Sequence, residues 1–180
     1  MKTFLELVQS RQSDRQYEPR EVEREKLDRI LEAARLAPSA CNAQPWKMIV
    51  VTDKEKRMSI ADATSSRVLM MNHFTKQAPI QIVVVEENPN FTSGFGGWAK
   101  DKHFPHVDLG VLAAHITLAA ADEGLGTCII GWFNEDKVRE ILEIPKKKRV
   151  LLVITLGYSA QPTRPKKRKA SSEVISFEKY

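Results

Sequence analysis

The stretch VDLGVLAAHITLAAADEGLGTCIIGW, residues 107–132, decides the fold. Its first part is apolar almost all round, which is typical of a helix that is buried on several sides. Gly124 and Gly126 can end that helix, and the β-rich TCIIGW follows as a strand. A chain of 180 residues rarely encloses such a helix by itself. We therefore predict that a second copy covers part of it, in a homodimer.

Strands and helices flank this stretch without strict βαβ alternation, which favours a single α+β domain over residues 1–180. Apolar positions at helical spacing predict helices at 22–36 and, more weakly, at 2–10, 54–76 and in NEDKVREILEIP. Short β-branched runs predict strands in WKMIVVT, APIQIVVVEEN and VLLVITLGY. The alternating EVISF near the C-terminus predicts a half-buried edge strand, and the Gly-rich 88–104 predicts a loop.

The net charge of +5 arises from one short segment rather than from the whole chain. RPKKRK, residues 164–169, holds five cations, which leaves 23 Lys and Arg against 23 Asp and Glu elsewhere. No apolar run reaches the ~20 residues of a membrane span, and the N-terminal stretch lacks the features of a secretion signal. These observations predict a cytoplasmic protein that binds neither membrane nor nucleic acid.

The cysteine and histidine spacing predicts no metal site. Cys41 and Cys128 lie far apart without a C-x-x-C partner, as expected of two thiols at packed positions. His103 and His106 have a spacing of i, i+3 but no third ligand nearby in sequence, and His115 lies within the apolar helix. Asp108 and the KKKR of 146–149 are predicted to be solvated.

Three clusters of polar residues suit one anionic, planar ligand. In SRQSDRQY, Arg11, Ser13 and Arg15 project to the same side of an extended chain, and guanidinium groups bind phosphate through paired hydrogen bonds. In APSACNAQPW, the Asn42 and Gln44 amides can donate and accept at once, as a flavin pyrimidine edge requires. In RPKKRK, alternate cations share one side if the segment is extended.

Together these segments resemble the nitroreductase family of FMN-dependent oxidoreductases. R-x-S-x-R, APSACNAQPW, AAADEGLGTCIIGWFNEDKVREILEIP, VLLVITLGY and the basic stretch before EVISFEKY occur in the family's order. The resemblance extends from Phe4 to Tyr180, and PSACNAQPW and GLGTCIIGWF are its most specific parts. It implies a mixed or antiparallel central sheet flanked by helices. It also implies a homodimer with FMN at the interface and an exchanged C-terminal segment.

The resemblance also implies a set of FMN-binding residues, with no side chain assigned as catalyst. It implies that the backbone N–H of Ile130 faces flavin N5. Three aromatic residues, Phe95, Trp98 and Phe104, are candidates for the wall of an acceptor pocket. The implied cofactor-binding residues are Arg11, Gln12, Ser13, Arg15, Asn42, Asn72, Ile129, Ile130, Gly131, Lys166, Arg168 and, contributed by the partner subunit, Pro38, Ser39 and Ala40.

In such an enzyme hydride passes from NADH or NADPH to FMN, and electrons then pass to a nitroaromatic, quinone or similar small acceptor in a ping-pong cycle. Two alternatives remain open. A non-catalytic flavin-binding protein would keep the phosphate-binding cations. A nucleic-acid-binding protein would use the basic C-terminal stretch, but the rest of the chain is neutral and carries no recognition motif.

Overall fold

The structure is a computed structural model, and it describes residues 3–66, 71–88 and 103–180. The α-helices are α1 (Phe4–Ser10), α2 (Arg24–Arg35), α3 (Lys54–Thr64), α4 (Phe104–Asp122), α5 (Glu135–Ile141) and α6 (Ser171–Val174). The strands are β1 (Trp46–Val51), β2 (Ile80–Glu86), β3 (Gly126–Ile130) and β4 (Val150–Gly157). Two short 3₁₀ helices span Ala40–Asn42 and His73–Gln77.

The four strands form one sheet in the order β1-β2-β4-β3. Every neighbouring pair in it is antiparallel. The predicted α+β fold is confirmed. The central strands β2 and β4 are buried on both faces, with residues 80–85 all inaccessible. Because both faces of these strands are buried, their sequences are continuous β-branched runs rather than alternations of apolar and polar residues.

The two faces of the sheet carry separate cores, and α4 is the main helix of the larger one. On that face, Leu112 and Ile116 of α4 are fully buried and pack with Ile82 and Ile154 of the sheet. On the other face, Ile60 of α3 packs with Val83 and Val85 of β2 and with Val150 and Val153 of β4. By length and composition α4 would also suffice to cross a membrane, but 44% of it is buried inside the protein. We describe it as a core helix because it packs against α2 and the sheet.

Within one chain, α1 does not bury the apolar side that its sequence predicts. Phe4 is 71% exposed and Leu5 is 65% exposed, although α1 packs against α4. Val107, on α4 itself, is also 63% exposed. The other described elements of the chain pack against α4 on the side away from Val107, and none of them covers Phe4 or Leu5 of α1. These three apolar side chains therefore remain exposed within one chain.

The predicted edge strand EVISF is wrong for the single chain. Its first two residues belong to the one-turn helix α6, where the Ala170 N–H donates to the Glu173 carboxylate at 2.9 Å. All residues from 170 to 180 are exposed. A β-strand requires a neighbouring strand for its hydrogen bonds, and the chain's own sheet places none beside this segment.

Candidate functional site

The outer edge of β3, the edge away from β4, holds the N-terminal arginine segment, residues 11–17. The Asp14 N–H donates to the Thr127 carbonyl at 2.9 Å, and Ser13 forms a parallel bridge with Thr127. Farther along, Tyr17 pairs in an antiparallel bridge with Ser159, just beyond β4. The segment is therefore extended, as predicted, and is fixed between β3 and the chain that follows β4.

The buried carboxylate of Asp14 organises this part of the site. Asp14 is 4% exposed, and its Oδ1 accepts hydrogen bonds from Gln12 Nε2 at 2.8 Å and from Ser159 Oγ at 2.6 Å. Gly126 lies against it so closely that a Cβ there would stand 2.6 Å from Asp14 Oδ2. Position 126 therefore requires glycine because the carboxylate occupies the space of a side chain.

The basic C-terminal segment, residues 164–168, lies directly across from the arginine segment. Arg164 donates through its backbone N–H to Gln12 Oε1 at 3.0 Å and through Nη2 to the Ser13 carbonyl at 2.7 Å. Lys166 Nζ donates to the Arg11 carbonyl. Two segments at opposite ends of the sequence thus form the two walls of one cleft.

The cleft between these walls, which we call the cationic cleft, has a cavity volume of about 640 Å³. It brings together the predicted phosphate-binding residues from both ends of the chain. Arg164 and Lys167 also line the cleft and were not predicted, although Arg164 shares the i, i+2 spacing of Lys166 and Arg168. The lining residues are Arg11, Gln12, Ser13, Arg15, Arg164, Pro165, Lys166, Lys167 and Arg168.

Six of those lining residues are cations, and none of the described ones is acidic. Burial, and after it the guanidinium groups of Arg11 and Arg168, lower the pKa of Lys166. Like charges that line one cleft repel one another, so the cleft favours the binding of an anion. A phosphate group, which accepts charge-assisted hydrogen bonds from several cations at once, fits this requirement.

The turn that follows α2 has a left-handed backbone. Cys41, Asn42 and Gln44 have φ angles of 51°, 51° and 46°. The Gln44 N–H donates to Ser39 Oγ at 2.9 Å, and Gln44 Nε2 donates to Asn42 Oδ1 at 3.1 Å, which stabilises the turn. The prediction that both cysteines are packed is wrong for Cys41, which this conformation leaves exposed.

Asp108, predicted to be solvated, is instead buried beneath this turn. It is 5% exposed, and its Oδ1 accepts the Ala40 N–H at 3.0 Å. This contact was not predictable from local pattern because it joins α4 to a turn 68 residues away. Pro38 is exposed, while Ser39 and Ala40 are partly buried. None of the turn residues lines the cationic cleft of their own chain.

The residues predicted to contact the flavin ring lie near the C-terminal end of β3. Asn72, with a left-handed φ of 60°, donates through Nδ2 to the Thr64 carbonyl at 3.1 Å and to the Trp132 carbonyl at 3.5 Å. That contact places Asn72 beside the end of the strand. Ile129 and Trp132 are 42% and 70% exposed there, which leaves an accessible apolar surface.

The strand register bears on which backbone N–H points outward. Ile130 pairs with Val153 of β4. Peptide groups alternate in direction along a strand, and the Thr127 carbonyl is on the outer edge because it accepts from Asp14. The backbone N–H and C=O of Ile129 therefore share the outer direction, and those of Ile130, the last residue of β3, are directed at β4. The assignment of the Ile130 N–H to flavin N5 stays a prediction.

Of the three predicted acceptor-pocket aromatics, the structure places one. Phe104 is the first residue of α4 and is partly buried, so it belongs to the helix rather than to the predicted 88–104 loop. Phe95 and Trp98 lie outside the described residues. His115, which lies within the apolar helix as expected, is partly buried, and its Nδ1 is 2.9 Å from the Val111 carbonyl oxygen.

Comparisons with known proteins agree with this geometry. The profile of the Nitroreductase family matches residues 8–70 and 65–158. A solved FMN-dependent nitroreductase from Clostridium difficile R20291 superposes with a TM-score of 0.79, at 30% identity over 98% of this chain and 99% of that one.

Two curated relatives are enzymes by name. The FMN reductase [NAD(P)H] of Bacillus subtilis is 28% identical over all of this chain and 75% of its own length. The oxygen-insensitive NADPH nitroreductase of Helicobacter pylori J99 is 27% identical over 84% of each chain. With a family profile that covers most of the sequence and a matching fold, the chain belongs to the nitroreductase family.

Proposed function

We propose that this protein is an FMN-dependent NAD(P)H oxidoreductase that reduces a nitroaromatic, a quinone or a similar small acceptor. The observation that carries the proposal is the cationic cleft at the outer edge of β3, next to an exposed strand end. The names of the relatives support it: the C. difficile protein is FMN-dependent, and the B. subtilis protein is an FMN reductase that uses NAD(P)H.

The residues present fit FMN. A cleft of about 640 Å³ is within the usual range for cofactor sites, which is roughly 300 to 1,000 Å³. Its excess of cations suits the FMN phosphate, and binding of that anion would offset the repulsion from Arg11 and Arg168, which adds to burial in lowering the pKa of Lys166. Arg11, Arg15, Lys166 and Arg168 are assigned to the phosphate, with Arg164 fixing the two walls to each other.

Residues nearer the end of β3 are assigned to the flavin ring. The outward N–H of Ile129, and the N–H of Gly131 just beyond the strand, are assigned as donors to electron-rich ring atoms, and the Asn72 amide lies close to the same strand end. Fixed N–H donors stabilise negative charge without the cost of reorienting solvent. When bound, FMN supplies the hydride and electron transfer, and the chain's own residues bind it, orient it and stabilise charge on it.

We also propose that the working form is a homodimer with FMN at the interface. The cationic cleft lacks the 38–42 turn in its own chain, so Pro38, Ser39, Ala40 and Asn42 of the second copy are assigned to complete it. The C-terminal segment supports this proposal because Phe177 is 86% exposed and Val174 is 63% exposed within one chain. The cytoplasmic location stays a prediction from the sequence.

Steady-state kinetics test the proposed activity. Protein loaded with FMN should oxidise NADH or NADPH only when a nitroaromatic or a quinone is present. Double-reciprocal plots at several acceptor concentrations should be parallel, as expected when donor and acceptor occupy the same site in turn. A protein that retains FMN yet turns over neither donor with either acceptor class would instead be a non-catalytic flavin binder.

A further inference from the structure

Three metal-binding side chains converge where β2 ends and α4 begins. Glu86 is the last residue of β2, His103 precedes α4, and His106 lies in the first turn of that helix. His103 Nε2 is 2.7 Å from Glu86 Oε1, and His106 Nε2 is 3.5 Å from Glu86 Oε2. One ligand atom from each residue lies within 4.8 Å of those of the other two.

The sequence predicted no metal site because the two histidines had no third ligand close by in the chain. The fold supplies it, since Glu86 lies 17 residues before His103 yet contacts it directly. The two imidazole rings meet edge to face, with their centroids 4.2 Å apart. All three residues are described by the structure, so the grouping does not depend on residues 89–102.

We propose that Glu86, His103 and His106 bind a divalent transition-metal ion of the Zn²⁺ class. Two imidazole nitrogens and one carboxylate oxygen form a donor set that zinc accepts, with one tetrahedral position left for water. Around an ion bound at about 2.1 Å, tetrahedral ligands stand about 3.4 Å apart. With Glu86 Oε1 as the carboxylate ligand, the 2.7 Å between His103 Nε2 and that oxygen needs to open by less than about 1 Å. One ligand atom from each residue already lies within 4.8 Å of the other two, so the remaining pairs need to close by at most about 1.4 Å.

The surrounding charges leave the Glu86 carboxylate available to the ion. Arg149 is the nearby guanidinium, and it is held by Glu135 at 2.9 and 3.2 Å, while Lys148 is paired with Glu87. The Glu86 side chain is only 14% exposed, whereas each histidine side chain is 55% exposed. An ion can therefore approach from solvent on the side of the two histidines and bind a carboxylate that is largely shielded from water.

Such an ion would fix the start of α4 to the end of the sheet. Glu86 is paired with Trp46 at the start of β1, and the Glu87 N–H donates to the Pro45 carbonyl at 3.0 Å. The chain that follows the 38–42 turn is thus attached to the metal site through Pro45 and Trp46. The turn itself is held by Asp108 of α4, which accepts the Ala40 N–H. If the proposed function holds, the ion would stabilise the turn assigned to the neighbouring FMN site. The binding itself does not rest on that function.

Isothermal titration calorimetry with zinc chloride tests the site, using tag-free protein previously treated with a chelator. We expect one ion per chain and a micromolar dissociation constant that weakens as the pH falls, because imidazole nitrogens must lose their protons to bind. Glu86→Gln and His106→Ala should each weaken binding at least tenfold. His73→Ala, which changes an exposed histidine elsewhere, should leave it unchanged.

The same variants also test whether a loss of zinc binding results merely from unfolding of the protein. Circular dichroism should show that Glu86→Gln and His106→Ala remain folded, and added zinc should raise the unfolding temperature of the unchanged protein but not of these variants. Equal zinc affinity in all four proteins, or no measurable binding by the unchanged protein, would overturn the proposal. Neither readout uses FMN or turnover, so a failure here is separate from a failure of the proposed enzyme activity.

Discussion

Replacing Arg168 by alanine should weaken FMN binding about 10- to 150-fold. The substitution removes one charge-assisted hydrogen bond to the phosphate, worth roughly 1.5 to 3 kcal/mol. Arg168 lines the cationic cleft, and its Nη1 donates to the neighbouring Lys167 carbonyl at 2.7 Å rather than to any buried group. The fold should therefore be unaffected, and the loss should appear in fluorescence titrations of FMN-free protein with FMN.

Lys169→Ala is the matched control because Lys169 is the next cation in the chain but does not line the cleft. It should change FMN affinity far less than Arg168→Ala does at the same ionic strength. A nonspecific tail for polyanions would instead respond about equally to the loss of either cation, and mainly through its salt dependence. Equal, small effects of both substitutions would therefore contradict the assignment of Arg168 to the phosphate.

Ending the chain at Lys169 should dissociate the proposed homodimer. The deleted residues 170–180 are wholly exposed in one chain, and they include Val174, Ile175 and Phe177. Burying three such side chains is worth roughly 5 to 9 kcal/mol per arm, before the cost of ordering the segment. We expect the dimer dissociation constant to rise at least about 10³-fold, measured by sedimentation velocity over a range of concentrations.

The truncated chain should keep its own fold, because none of the deleted residues belongs to either core. Its circular dichroism should therefore be unchanged, while FMN retention falls together with dimerisation. Phe177→Ala should give an intermediate loss, and Lys179→Ala should behave like the unchanged protein. A truncated chain that remains a dimer and retains FMN would show that the C-terminal segment does not hold the two copies together.

The elements set by local patterns were predictable from the sequence. Leu27, Ile30 and Ala34 recur at helical spacing and are the buried residues of α2. The β-branched runs of β1, β2 and β4 became strands because most of their side chains pack on a pleated surface that is at least partly buried. The order of strands in the sheet was not predictable in the same way, since it depends on contacts between distant segments.

The incorrect predictions have one cause in common: each residue's environment depends on segments that are distant in the sequence. Asp108 was predicted to be solvated because a charge in a helix usually faces water, yet the Ala40 N–H stabilises it in the interior. EVISF alternates like a strand but has no strand beside it in its own chain. The third member of the histidine cluster, Glu86, could not be found from spacing because only the end of β2 brings it near.

The candidate site was predictable where residue type alone carries the chemistry. Arginines at i, i+4 in an extended segment and cations at i, i+2 indicated a phosphate site, and the fold brings both groups into one cleft. The direction of a backbone N–H cannot be read from residue type, because it depends on strand register. The assignment of the Ile130 N–H to flavin N5 was made without that information, and it stays a prediction.

The most direct test of the central claim is an anaerobic titration of the FMN-loaded protein with NADH and, separately, NADPH. The visible flavin absorbance should disappear with about one equivalent of the preferred donor per FMN. It should return when a nitroaromatic or a quinone is added without oxygen. A flavin spectrum that stays oxidised with both donors would contradict the account, because a protein that binds FMN but cannot accept hydride on it is not an oxidoreductase of this kind.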